Sequence, residues 1–160
     1  MSITFDHVNI VTDDLEGTME FFVNTFGFTA GTPTTLEGPW VDELNGYTNC
    51  KATYVPLAPP PIGSPPAPAP THIEVLTFEN PPSPPAAEPL WAPNHLGYRH
   101  ICLDVPNIQE LYQQLSQKWK FLSKPVPVPP PFNVTTVYFI GPGNVLIQLT
   151  QKNESGAADG

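Results

Sequence analysis

Positively charged side chains are scarce in this chain. Five Lys and a single Arg stand against 15 acidic residues, for a formal net charge of −9. Phosphate-bearing partners are held by clustered Lys and Arg, so neither nucleic acid nor an anionic membrane is an expected partner. Cysteine is nearly absent too. Cys50 and Cys102 sit singly inside strand-like runs, without CxxC spacing or the density of a disulfide framework, so a reducing compartment is expected. No apolar run approaches the roughly 20 residues of a membrane-spanning helix. A signal peptide is not expected either, because Asp6 breaks the first apolar run and no basic segment precedes it. These absences leave a soluble cytoplasmic protein, and 160 residues are enough for one domain with its own core.

Proline, by contrast, is abundant, with 23 residues unevenly placed. Fourteen fall between Pro56 and Pro93 and five between Pro125 and Pro131. Proline fixes φ and gives no N–H to a sheet ladder, so these stretches read as loops of polyproline character rather than core strands. They are either stiff surface excursions or the roof of a pocket.

The pattern that organises the rest is an internal repeat. Phe5–Phe28 aligns with Tyr98–Phe121 without a gap: His7 falls on His100, Val8 on Ile101, Ile10 on Leu103, Phe26 on Trp119 and Phe28 on Phe121. Such a repeat is one supersecondary unit used twice. In the first copy, Ile3–Thr12 is a strand with Phe5, His7, Asn9 and Val11 on one face and Asp6, Val8 and Ile10 on the other. Thr12 or Asp13 caps a helix carrying Leu15, Thr18, Met19, Phe22, Val23 and Phe26 at helical spacing, and Gly27 stops it. Phe28–Leu36 is a strand interrupted by Pro33, Trp40–Leu44 a short helix ended by Gly46, and Asn49–Leu57 and Thr71–Phe78 are two further strands. The second copy runs from the strand Gly97–Val105 through a helix from Ile108 to Trp119. Strands follow at Lys120–Lys124, Val134–Ile140 and Val145–Thr150, the last two joined by the turn Gly141-Pro142-Gly143-Asn144. Each copy reads strand–helix–strand–strand–strand. The expected layout is one domain over 1–152, with module one at 1–80, a Pro-rich linker at 81–94 and module two at 95–152; a flexible tail occupies 153–160.

The last strand of each module places a polar residue between apolar neighbours, Ile73-Glu74-Val75 and Ile147-Gln148-Leu149. Two histidines, a carboxylate and an amide thus recur as one pair per module. A lone strand histidine is usually a satisfied structural residue, but an unpaired carboxylate in an apolar strand is costly to bury. If the two pairs converge, His7, Glu74, His100 and Gln148 make a mixed N/O set suited to a divalent ion with open positions. His72 shares a face with Glu74 but has no counterpart in module two, and His95 has none either. Both read as pocket-lining or structural rather than as ligands.

Several segments together resemble the vicinal oxygen chelate superfamily, the glyoxalase/bleomycin-resistance/extradiol-dioxygenase group. They are Phe5-Asp6-His7-Val8-Asn9-Ile10-Val11-Thr12 with Met19-Glu20-Phe21-Phe22 and Phe26-Gly27-Phe28, then Gly97–Val105, then Gly141–Leu149. Trp40-Val41-Asp42-Glu43 and Ile73-Glu74-Val75-Leu76 look like members near glyoxalase I and methylmalonyl-CoA epimerase. The resemblance implies an α+β fold of two paired βαβββ modules, whose curled mixed sheets surround a central cavity. It implies a divalent metal (Zn, Ni, Mn, Co or Fe(II)) held by His7, Glu74, His100 and Gln148, and a homodimer. Gln148 stands where most metal-dependent members have Glu. A glutamine cannot abstract a proton, so Glu74 is the expected base, as a carboxylate able to leave the metal.

The expected function is that of a metal-dependent lyase or isomerase acting on a small carbonyl-containing substrate through a metal-stabilised enolate, glyoxalase- or epimerase-like or an isomerase or cyclase of specialised metabolism. Asn9, Trp40, Tyr54, His72, Cys102 and Phe132 are the expected pocket residues. Two alternatives stay open. One is a non-catalytic binder of small molecules of the antibiotic type, with the same fold. The other is an Fe(II) dioxygenase, for which His7, His100 and Glu74 could supply three ligands.

Overall fold

A computed structural model of the chain describes residues 6–61, 71–84, 100–129 and 132–153. Much of the Pro-rich stretch, most of the linker, His95 and the tail beyond Asn153 lie outside the described residues. The chain divides into two compact units, Met1–Pro85 and Ala86–Gly160. Each is α+β, built on a five-stranded mixed sheet that does not close on itself.

The first unit runs β1 (His7–Val11), α1 (Leu15–Phe26), β2 (Thr29–Ala30), β3 (Thr34–Glu37), α2 (Pro39–Asn45), β4 (Lys51–Ala58) and β5 (His72–Asn80). Its strand order is β1-β5-β4-β2, with β3 also on β4. β1 and β5 are parallel neighbours and the remaining pairs are antiparallel. β2 pairs with Ala58 and Leu57, and β3 with Tyr54 to Lys51, so the two are pieces of one outer strand. The break spans Gly31 to Pro33. Gly31 N–H still donates to Pro56 O at 2.8 Å, and a Cβ at Gly31 would come within 2.7 Å of the Pro56 ring.

Pro56 itself sits inside β4, within the strand expected over Asn49–Leu57 although it opens the Pro-rich run. In an antiparallel ladder a residue's N–H and C=O point to the same neighbour. The Pro56 carbonyl faces Gly31, so its missing donor faces the broken strand and no bond to β5 is lost. Pro127, inside β8 (Val126–Val128), lies on an outer strand, where proline is tolerated.

Helix α1 is capped by Asp14, not by Thr12 or Asp13. The Asp14 carboxylate accepts from Gly17 N–H at 2.9 Å. Thr12 does a different job: its hydroxyl oxygen accepts from Asp14 N–H at 3.1 Å and from the Thr18 hydroxyl at 3.1 Å. Asp14→Ala should therefore lower stability by about 1 kcal/mol, read as a fall in Tm. Gly27 ends the helix at φ 71°, its N–H bonded back to Phe22 and Val23 carbonyls. The helix buries Thr18, Phe21 and Phe22. The core of the unit also takes in Ile10, Phe28, Val55, Leu57, Ile73 and Val75. On β5 the alternation is plain: Ile73 and Val75 are buried, whereas His72, Glu74 and Leu76 on the other face are half-buried.

The second unit repeats the plan with β6 (His100–Asp104), α3 (Ile108–Leu115), β7 (Lys120–Phe121), β8, β9 (Val134–Ile140) and β10 (Leu146–Lys152). Its order is β6-β10-β9-β7, with β8 also on β9. The outer strand is again in two pieces. α3 ends at Leu115, short of the expected Trp119, although Trp119 N–H still donates to Leu115 O at 2.8 Å in the turn that follows. The tight turn before β10 places Gly143 (φ 64°) and Asn144 (φ 57°) in the left-handed region that glycine and asparagine tolerate. Among the described residues no helix is long and apolar enough to cross a membrane.

Candidate metal centre

Parallel pairing of the first and last strand sets the polar face of each unit. In the first, His7 lies opposite His72 and Asn9 opposite Glu74. In the second, His100 lies opposite Leu146 and Cys102 opposite Gln148. The repeat seen in the residues is thus also a repeat in register: His7 corresponds to His100 and Glu74 to Gln148. The position held by His72 is Leu146 in the second unit.

In the first unit five side chains meet. His7 Nε2 is 3.3 Å from Glu74 Oε2, and His72 Nε2 is 3.6 Å from Glu74 Oε1. The two imidazoles stand 5.5 Å apart between ring centroids, tilted by 48°. Behind His7, its Nδ1 is 2.8 Å from Asp6 Oδ2. A carboxylate only accepts, so Nδ1 carries the proton. The hydrogen bond to Asp6 raises the His7 pKa above its usual value, with the Glu74 charge adding to it, and the same bond lowers that of Asp6. Tyr54 completes the group. Burial, then the neighbouring Glu74 carboxylate, push its phenol above the ordinary range. The Glu74 side chain is only 20% exposed, against 39% for His7.

The second unit is electrically different. His100 meets the Tyr138 ring edge-on at 5.3 Å. Gln148 Nε2 donates to Thr136 Oγ1 at 2.8 Å, and that hydroxyl donates on to Leu149 O at 2.8 Å. The amide nitrogen is committed to Thr136, so the amide's remaining polar atom is its carbonyl oxygen, an acceptor. Tyr54 lies opposite Leu76, and Thr136 opposite Thr150, so Tyr54 and Thr136 occupy matching places beside Glu74 and Gln148. Cys102 shares the face of His100; burial first, then Asp104, raise its thiol above the usual value.

The structure brings His7, Glu74, His72 and Tyr54 into one cluster, with Asn9 in register beside Glu74. It places Trp40 on α2 at 56% exposure and Phe132 just ahead of β9 at 72% exposure. Asp6 had been set on the opposite face from His7. Instead the strand begins at His7, and Asp6, just before it, is free of the alternation and folds onto the imidazole. His72 had been set apart from the ligands, yet its ring nitrogen, one from His7 and an Asp6 oxygen all lie within 4.8 Å of one another.

A family model described as the Glyoxalase/Bleomycin resistance protein/Dioxygenase superfamily matches residues 4–149. Comparison with curated proteins finds no match. Among solved structures, a glyoxalase family protein from Bacillus cereus is similar with a TM-score of 0.77 and 23% identity, over 94% of this chain and 95% of that one. A trypanothione-dependent glyoxalase I from Leishmania major is similar at 0.60 and 18%, over 94% and 88%. A glyoxalase I from Zea mays is similar at 0.60 and 15%, over 91% of this chain and 45% of that one. At these identities the structural likenesses speak for the fold.

Proposed function

The chain belongs to the glyoxalase/bleomycin resistance protein/dioxygenase superfamily, and on that premise we propose that it is a metal-dependent lyase or isomerase acting on a small carbonyl-containing substrate. The observation that carries this reading is the pair His7 Nε2 and Glu74 Oε2 at 3.3 Å, backed by Asp6 on the far nitrogen of His7. Two donors bound to one ion at about 2.0–2.2 Å each stand roughly 3.0–3.4 Å apart, so the pair fits a divalent ion. A carboxylate behind a ligating imidazole is the usual support for such a ligand. On this reading His7 and Glu74 supply ligands from the first unit. A bound divalent ion supplies Lewis acidity toward the substrate's carbonyl oxygen.

The chain's own residues divide the remaining work. Glu74 takes the proton α to the carbonyl, since Gln148 at the matching place has no basic oxygen at neutral pH. Asp6 holds His7 in the tautomer with Nε2 free for the ion. Tyr54, beside Glu74, keeps the carboxylate oriented. With one Arg and five Lys in the whole chain, a substrate without phosphates or several carboxylates fits best. A glutathione conjugate or a CoA thioester would call for more positive charge than that.

The test is the metal content of the full chain purified without chelator. The expected result is about one divalent ion per chain, lost in His7→Ala. No uptake of Zn, Ni, Mn, Co or Fe(II) by the wild type would move the function to a metal-free binding protein. For Asp6→Asn the expected loss of metal affinity is 10- to 100-fold, as for other outer-shell partners, measured by equilibrium dialysis. Unchanged affinity would mean that Asp6 does not support the ligand.

A further inference from the structure

We propose that helix α2 is a docking face, and that its occupant is a cationic amphipathic helix of another protein. α2 is short and buries one residue, Val41. Its large apolar side chains lie outside. Trp40 and Leu44 stand one helical turn apart and share a face with Glu43, and Tyr47 follows just beyond Gly46. Leu44 is 75% exposed and Tyr47 51%. Scattered singly, exposed apolar residues are ordinary; gathered on one short helix and its exit, they mark an interaction site. Trp and Tyr are also the types on which binding energy concentrates. The helix is firmly held. The Asp42 carboxylate accepts from Asn49 N–H at 2.9 Å and from Cys50 N–H at 2.6 Å. Asn45 Nδ2 donates to Val41 O at 2.9 Å, and Gly46 N–H closes the last turn on Asp42 O at 2.8 Å. A partner therefore loses little free energy in ordering this face.

Charge selects the occupant. Met1–Pro85 holds ten of the 15 acidic residues and only Lys51 of the six basic ones, so the whole net charge of −9 falls there, whereas Ala86–Gly160 has five of each sign. The acids on and beside α2 are Glu37, Asp42 and Glu43, and residues 1–50 contain no Lys or Arg. Against the helix lies an open cleft of about 470 Å³ whose walls include Glu37, Pro39, Asp42 and Lys51. The Lys51 ammonium is already paired with Glu79 at 2.7 Å, so the cleft suits an incoming Lys or Arg side chain. An anionic partner is repelled. A second copy laying the same face on this one would set Glu37 and Glu43 against their own equivalents, which like charges oppose. A cationic amphipathic helix meets Trp40, Leu44 and Tyr47 with its apolar side and the carboxylates with its Lys and Arg.

The test is fluorescence anisotropy of a labelled synthetic peptide, with leucine on one helical face and lysine on the other, titrated with the full chain at about 0.15 M salt. A peptide of the same composition, with its leucines spread around the helix, is the comparison. Circular dichroism verifies the fold of each variant. The expected result is that the amphipathic peptide binds roughly 10-fold tighter than the scrambled one, and that Trp40→Ala and Leu44→Ala each weaken it roughly 10-fold, the scale of an interface hot spot. The double variant Glu37→Gln/Glu43→Gln should weaken it by about threefold or more. Glu16→Gln/Glu20→Gln, which removes the same charge from the exposed side of α1, should change it less than about twofold. No binding by the wild type, or equal binding of the two peptides, would overturn the inference. So would unchanged affinity in Trp40→Ala and Leu44→Ala, or equal losses from the two charge pairs, since either reduces the contact to general attraction. Sedimentation of the protein alone supplies the last arm: self-association that Trp40→Ala abolishes would give the face to a second copy and overturn the inference as well.

Discussion

Glu74→Gln should slow proton exchange by about 10²–10⁴-fold, the range a positioned general base contributes, while the protein keeps its metal. Glutamine retains a carbonyl oxygen that can ligate, as Gln148 is expected to do, but it has no basic oxygen at neutral pH. The substitution therefore separates two roles that one carboxylate combines. The measurement is incorporation of deuterium from D2O into small 1,2-dicarbonyl and α-hydroxycarbonyl compounds, followed by proton NMR, with metal content determined on the same samples. For any compound that the wild type exchanges, kcat should fall and KM should change little. That is the signature of an interaction made in the transition state. An unchanged kcat would place the base elsewhere. A variant that loses both metal and activity would show Glu74 to be needed for binding before it is needed for chemistry.

Phe22→Ala should cost about 3–5 kcal/mol, the usual range for removing a fully buried aromatic ring. Phe22 is completely buried, and its ring lies 5.2 Å from that of Phe21, 6.3 Å from Phe26 and 5.5 Å from Phe28. The cavity would open where α1 docks on the sheet carrying His7 and Glu74. Domains of this kind are stable by roughly 5–15 kcal/mol in total, so the loss should be visible as a large drop in the urea midpoint. Phe132→Ala is the control. At 72% exposure it should stay within about 0.5 kcal/mol of wild type. A drop of less than 1 kcal/mol for Phe22→Ala would mean that α1 does not anchor the unit.

Much of this architecture was legible in the residues, because it depends on local rules that repeat. His7 and His100 marked the two leading strands, Gly27 and Gly46 the ends of two helices, and Pro33 the break in the outer strand. What escaped was decided by geometry that patterns do not encode. Thr12, Asp13 and Asp14 are all good caps, and only the chain's path off β1 selects Asp14. The spacing of Leu115 and Trp119 stays helical in a turn that is no longer α-helix, so it overstated the length of α3. Asp6 was assigned to a face by alternation, a rule that lapses where the strand begins. His72 has no counterpart in the repeat, and only the parallel register shows that it lies opposite His7. A repeat highlights what two halves share and hides what one half acquired alone.

The interrupted outer strands carry a consequence for how copies of this protein meet one another. An exposed sheet edge is a template on which another chain can lay a strand, and a long, flat edge invites fibril growth. Here β2 offers two residues and β3 four, with Pro33 between them; β7 offers two, and β8 has a proline at its centre. Neither of these two interrupted edges presents the continuous row of six or seven donors and acceptors that a cross-β stack requires. On these two edges the proline that looked like a lapse in strand-forming character serves as a guard against the strand of another chain.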